Sequence, residues 1–297
     1  IFIEDGADRF KIEGVTVIDS DDDAIYIEGT NIVGGLIYKC NILSADGRGI
    51  DSWMDAGNTM EGLLIHGNRL NKDTSLTRSP HAVFSGNAVS SCGDTALYFG
   101  ESPCSSAVGN TFRDLSSDAY QSSSSNCLFA GNTVYGTTSG GVYIDEPNNS
   151  VIGNVFYNLY NEIYILNDGC ILVGNLSPIV SNLNWWGLYM EGAKGVVADN
   201  YVEGCPGEGI YITGSYALVH GNHVYDSSTD TPGRCAGIKT CSYASNCIIS
   251  DNYLYSPGDS QASGILLDTA SRCLVKGNYC YNAKDDHGIE IKASNDT

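Results

Sequence analysis

Apolar and polar residues alternate with period two along most of this chain, in short runs rich in Val, Ile, Tyr and Thr. One run recurs as a mostly small residue, an apolar residue, tyrosine and another apolar residue: AIYI at 24–27, ALYF at 96–99, GVYI at 141–144, EIYI at 162–165, GLYM at 187–190 and GIYI at 209–212. Such alternation marks a strand buried on one face, so the Ile, Leu and Val positions point inward and the tyrosines outward. A second run ending in Gly-Asn follows, as in CLFAGN (127–132) and CILVGN (170–175). A short third run, TVY or HVY, comes next, and then a turn rich in Gly, Ser and Asp.

The whole unit repeats. AGNTVYG at 130–136 returns as IGNVFYN at 152–158, HGNHVYD at 220–226, SDNYLYS at 250–256 and KGNYCYN at 276–282. Equivalent asparagines fall at Asn41, Asn68, Asn87, Asn110, Asn132, Asn154, Asn175, Asn200, Asn222, Asn252 and Asn278. They stand roughly 19 to 30 residues apart, the spacing of a solenoid repeat. Leucine-rich repeats would need more Leu and a helical stretch, and helical repeats would need a period near 3.6. A coil of strands remains, and parallel crossovers favour the right hand. The expected fold is all-β: a right-handed parallel β-helix of about 12–13 coils with three short strands each, a single domain over 1–297. Each repeated asparagine is expected to sit at a bend, tolerating left-handed backbone, and to bond its counterparts in a ladder. The apolar residue two places further on points into the bore.

Composition narrows the function. Fifteen Lys plus Arg against 35 Asp plus Glu give 297 residues a net charge of −20. That balance disfavours nucleic acid and anionic lipid, and works against polyanionic glycans unless a metal intervenes. No apolar run reaches the roughly 18 residues of a membrane span. The chain starts without Met, as a mature product or an excised part of a longer chain would. Of the eleven cysteines, Cys127, Cys170, Cys247 and Cys273 each lie five residues before a ladder asparagine, at one inward column. Cys247 and Cys273 belong to successive coils and are either bonded or stacked, and Cys235 and Cys241 are near enough in sequence to close a loop. No pair has zinc spacing.

The G-N-x-[VFLC] repeat, running through essentially the whole chain, resembles that of the pectin-lyase-like superfamily of right-handed parallel β-helices. The resemblance implies an extracellular or cell-surface protein: a polysaccharide lyase, hydrolase or epimerase, a phage tailspike, or a purely structural surface protein. SDDDAI (20–25) is similar to the paired-aspartate motif of polygalacturonases, but the Gly-His-Gly and Arg-Ile-Lys partners are missing, and Asp22 and Asp23 read as turn residues. The basic residues and calcium of the lyases find no counterpart on one face, so no cofactor is assigned.

Chemistry is then sought on the outer faces. A tyrosine column is expected through Tyr98, Tyr120, Tyr143, Tyr164, Tyr189 and Tyr211, widened by Trp185 and Trp186 into a ledge for sugar rings. Two positions beyond the tyrosines stand Asp145 and Glu191, two coils and so roughly 9.6 Å apart, near the upper limit for an inverting acid/base pair. A second cluster comprises Asp51, Trp53, Asp55, His66 and Arg69, beside an irregular step in the repeat and the loop NKDTSLTRSP (71–80). A further tyrosine set follows the ladder: Tyr135, Tyr157, Tyr225, Tyr255 and Tyr281. Two readings follow. One is a module that binds and processes polysaccharide through an aromatic and acidic face. The other is a non-catalytic surface or filament protein that self-associates through tyrosine faces and uncapped ends.

Overall fold

A computed structural model describes residues 1–30, 32–159, 163–178, 186–227, 235–255, 263–282 and 287–292. It is an all-β parallel solenoid with three strands to the coil and no helix among the described residues. The chain divides into two compact units, 1–150 and 151–297.

In the first unit one ladder stacks Ile25–Gly29, Ile50–Met54, Thr74–Thr77, Leu97–Gly100, Tyr120–Ser123 and Val142–Ile144, every neighbouring pair parallel. The corresponding ladder of the second unit stacks Ile163–Ile165, Trp186–Met190, Glu208–Ile212, Ala236–Thr240, Ser263–Asp268 and Ile289–Lys292. Inward positions make the core: Ile25, Ile50, Leu97 and Val142 are fully buried in the first unit, as are Ile163, Ile210 and Ile238 in the second. A ring column thickens the first core, where Phe84 stacks on Phe112 and Tyr120 stacks on Phe129 at 4.7 Å. At one corner of this unit serines replace apolar residues. Ser102 Oγ accepts the N–H of Ser79 at 2.8 Å while donating to the Leu76 carbonyl at 2.8 Å, so the corner's polar backbone is satisfied from inside.

The asparagine ladder is present with two corrections. In the first unit it runs Asn68, Asn87, Asn110 and Asn132, each nearly inaccessible. Asn110 donates its N–H and its Nδ2 to Asn132 Oδ1 at 2.8 and 2.9 Å, and Nδ2 also reaches the Phe84 carbonyl at 2.9 Å. The second unit repeats this from Asn154 to Asn278. Asn41 is not a member. Its neighbour Cys40 holds the ladder position, donating its N–H to Asn68 Oδ1 at 2.8 Å, while Asn41 is exposed and begins the strand Asn41–Ile42. Nor are the asparagines the left-handed residues. That conformation belongs to the residue before: Gly131 (φ 61°), Asp199 (φ 54°) and Asp251 (φ 56°). The dipeptide is Gly-Asn or Asp-Asn because its first residue must turn the backbone and its second must carry an amide. The expected alternation beyond it holds, with Val134, Phe156 and Val224 buried two places on.

Replacing Asn222 by Ala strands the buried donors of Asn200 and the Val197 carbonyl that Asn222 now satisfies. The expected loss is about 3 kcal/mol of unfolding free energy in urea titration, against no more than about 0.5 kcal/mol for Asn41→Ala.

Candidate functional site

Register in the first unit decides which side chains share the outer face. One outward column reads Tyr26, Asp51, Ser75, Tyr98, Gln121 and Tyr143. Tyr120 is therefore not in the tyrosine column. It pairs with Leu97 and Val142, is 1% exposed, and packs inside between Phe99 and Phe129. In AYQS (119–122) the tyrosine stands one place earlier than in ALYF (96–99), with which it is in register, and a one-residue step in a strand changes the face.

Between this column and the preceding turn lies a cleft of about 210 Å³, lined by Arg48, Asp73, Ser75, Asp94, Tyr98 and Gln121 among others. The turn positions Arg48: its backbone N–H is accepted by Asp23 Oδ1 at 2.6 Å, which is the scaffold role expected of that aspartate. From there the guanidinium spans two carboxylates, with Nη1 2.9 Å from Asp51 Oδ1 and Nε 3.6 Å from Asp73 Oδ2. Asp51 is 7% exposed. Burial raises its carboxyl pKa and outweighs the opposing pull of Arg48 and of the Ser75 hydroxyl. Asp73 is raised by burial as well, against its own backbone N–H and Arg48. Burial, aided by a hydrogen bond to Glu28, lifts the Tyr26 hydroxyl to about 12. Downstream, Thr95 Oγ1 donates to Gln121 Oε1 at 3.4 Å.

Tyr98 is half-buried, and its ring lies across Gly100, the next outward residue of the same strand. A Cβ on Gly100 would come within 2.6 Å of a Tyr98 ring carbon. The equivalent outward positions of other coils carry Glu28, Trp53, Thr77, Ser123 and Asp145. Absence of a side chain at 100 thus lets an aromatic ring lean along the sheet beside the polar cleft.

The second unit handles its aromatics differently. Tyr164 and Tyr189 stack at 4.4 Å, and Trp186 stacks on Tyr211 at 5.4 Å while touching Tyr189 at 4.9 Å. Tyr211 also carries the Lys239 ammonium 5.3 Å from its ring centre, and Lys239 is itself held by buried Glu208 at 2.9 Å. Tyr189 is only 8% exposed. Its hydroxyl donates to Glu191 Oε2 at 3.1 Å, and burial raises its pKa. These rings spend much of their faces on one another, as an aromatic stack on a sheet does.

The remaining predicted residues fall as follows. Asp145, in the first unit, accepts a hydrogen bond from Ser123 Oγ at 3.2 Å, and Tyr143 is half-buried beside it. Glu191 lies in the second unit and is exposed. Trp185 lies outside the described residues. The second cluster does not converge, because the chain turns two corners within it. Asp51 and Trp53 share the face just described, whereas Asp55 follows that strand, exposed. His66 stacks on Tyr38 on the next ladder at 5.5 Å and bonds Ser85, and Arg69 stands exposed on the third. Arg48, Asp73, Gly100 and Gln121 were missed. For three of them the signal is positional: Asp73 stands where other coils carry Ala24, Gly49 and Ala96, Gly100 where others carry a side chain, and Gln121 where Tyr26, Tyr98 and Tyr143 stand.

The family described as "Right handed beta helix region" matches residues 1–156, 74–185 and 177–297. Among solved structures, the receptor-binding tailspike of bacteriophage Det7 aligns over 98% of this chain and 76% of its own, with a TM-score of 0.60 at 9% identity. The A-module of the Azotobacter vinelandii mannuronan C-5 epimerase AlgE4 aligns over 99% and 88%, with a TM-score of 0.53 at 10% identity. A tailspike mutant of E. coli bacteriophage HK620 in complex with a pentasaccharide aligns over 91% of this chain and 59% of its own, with a TM-score of 0.58 at 11% identity. At these identities the likeness is one of fold. No curated protein matches the chain by sequence.

Because Asp51 and Asp73 take up protons more readily folded than unfolded, the stability they contribute is present below the ordinary carboxylate value of 3.8 and is lost as pH rises through their elevated values. Denaturant titrations from pH 3.5 upward are expected to show this decline, and a shallower one in Asp51→Asn. An unchanged slope in the variant would contradict the assignment.

Proposed function

The chain belongs to the right-handed β-helix family, and on that footing we propose that it is a glycan-recognition module whose first unit seats a neutral or weakly charged sugar chain in the cleft between Arg48 and Tyr98. The observation that carries this is the convergence of a guanidinium, two carboxyls, a serine hydroxyl, an amide and an inclined aromatic ring on one open cleft. Sugars present just the complements: hydroxyls that both donate and accept, and an apolar ring face for an aromatic. Arg48 supplies fixed donors, Asp73 and Asp94 supply acceptors, and Tyr98 supplies the apolar surface. The net charge of −20 favours a neutral ligand over a polyanion. Neighbours in fold support the polysaccharide class, since one is seen with a pentasaccharide and another is named for mannuronan. A polysaccharide ligand of this kind would be met outside the cell or at its surface.

A second reading, self-association, is favoured by one observation in the second unit. Tyr253, Tyr279 and Tyr281 form an exposed strip, 41%, 52% and 50% accessible, with Tyr253 stacked on Tyr279 at 5.0 Å.

On a glycan array, Arg48→Ala and Tyr98→Ala are each expected to weaken binding at least tenfold, about 1.4 kcal/mol. Gly100→Val should do the same by displacing the Tyr98 ring, while Tyr189→Phe should leave affinity intact. Full binding by all three cleft variants would overturn the reading. Light scattering separates the second reading: a monomer at every concentration tested counts against self-association.

A further inference from the structure

Along one inward corner of the coils, small residues alternate with cysteines, and only one described place sets cysteine on cysteine. Ile248 and Leu274 are in register on neighbouring rungs, and the Leu274 N–H donates to the Cys247 carbonyl at 2.8 Å, so Cys247 and Cys273 are directly superposed. Other cysteines of this column lack such a neighbour. Cys127 is followed by Asn149, whose Oδ1 accepts its N–H at 2.8 Å, and Cys170 is followed by Gly195, next to the Val196 that bonds its carbonyl. Adjacent rungs lie roughly 4.8 Å apart, inside the roughly 4.4–6.8 Å span of Cα separations that a disulfide bridges.

Exposure of the two thiols differs. Cys247 is 1% exposed, with Sγ directed at the Gly214 and Ser245 carbonyls at 3.5 and 3.6 Å. Cys273 is half-exposed, its Sγ 3.5 Å from the Ser271 carbonyl. A thiol–thiol hydrogen bond separates their acidities, holding Cys273 below the ordinary range and pushing Cys247 above it. The accessible sulfur of Cys273 is thus placed to attack and the buried one of Cys247 to resolve.

We propose that Cys247 and Cys273 form a thiol–disulfide exchange site that reacts with low-molecular-weight disulfides. The Cys273 thiolate attacks one sulfur of the small disulfide, forming a mixed disulfide and expelling one thiolate. Cys247 then loses its proton to solvent and attacks Cys273 Sγ, releasing the second small thiolate, which is protonated. Two protein thiols are oxidised and one small disulfide is reduced to two thiols. The product staples two neighbouring rungs.

The test equilibrates the protein with glutathione buffers of rising oxidised fraction, followed by alkylation and peptide mass spectrometry. Wild type is expected to lose two hydrogens and yield a single cross-linked peptide pair joining 247 to 273, with Cys127 and Cys170 still alkylated. Cys247→Ser is expected to halt at a glutathione adduct on Cys273, and Cys273→Ser to show no adduct at 247. Cys273→Ala gives the same reading should the serine variant misfold, and far-ultraviolet circular dichroism establishes which variants are folded. A wild type that keeps all thiols at every ratio, one that retains the adduct without closing, or one that pairs other cysteines as readily would each overturn the proposal.

Discussion

Everything in this protein depends on vertical registry: each rung must sit so that its residues stand over the right residues of the next. Backbone pairing alone enforces this weakly, since a strand shifted by one residue still makes its ladder bonds while every side chain changes face. The buried asparagines remove that freedom. Each amide oxygen accepts two donors from the preceding rung, while the amide nitrogen gives one hydrogen back to a carbonyl of that rung and one to the next asparagine, so a slip would leave several buried polar groups unpaired at once. The Gly or Asp before each asparagine contributes the other half, fixing the left-handed turn that aims the amide inward.

Registry also explains how much was legible beforehand. The repeat, the parallel coil and the buried columns could be read because they rest on periodicity, which one sequence displays many times. What failed was the local assignment of single residues. Asn41 looked like a ladder member because the repeat is Gly-Asn, yet in KCN the cysteine occupies the place. Tyr120 looked like a surface tyrosine, yet in AYQS it stands one residue earlier than in ALYF and the ring lies in the core. The second cluster gathered residues close in sequence, whereas in a solenoid proximity along the chain means a different face and proximity in space means another coil. Arg48 and Asp73 meet because they sit on neighbouring rungs, and no motif of contiguous residues marks them.

The candidate site is where the repeat is broken. A solenoid tolerates substitution on its outer face, and the first unit uses that tolerance in three adjoining coils. A basic residue stands at a turn, a carboxylate in a tyrosine column, a second carboxylate one place before the strand core, and a glycine where others carry a side chain. Asp51 in particular is buried at a cost in solvation, and that burial raises its carboxyl pKa. In the second unit the same outer positions are filled by rings packed on one another, which stiffens the face instead of opening it.

Hydrogen–deuterium exchange with and without a bound glycan bears most directly on the idea that registry, not sequence neighbourhood, builds the site. Protection is expected to appear together in segments 48–51, 73–75, 94–100 and 121–123, four stretches from four coils, with little change at 60–70. Protection confined to one continuous stretch of chain, or to the second unit's aromatic stack, would contradict it.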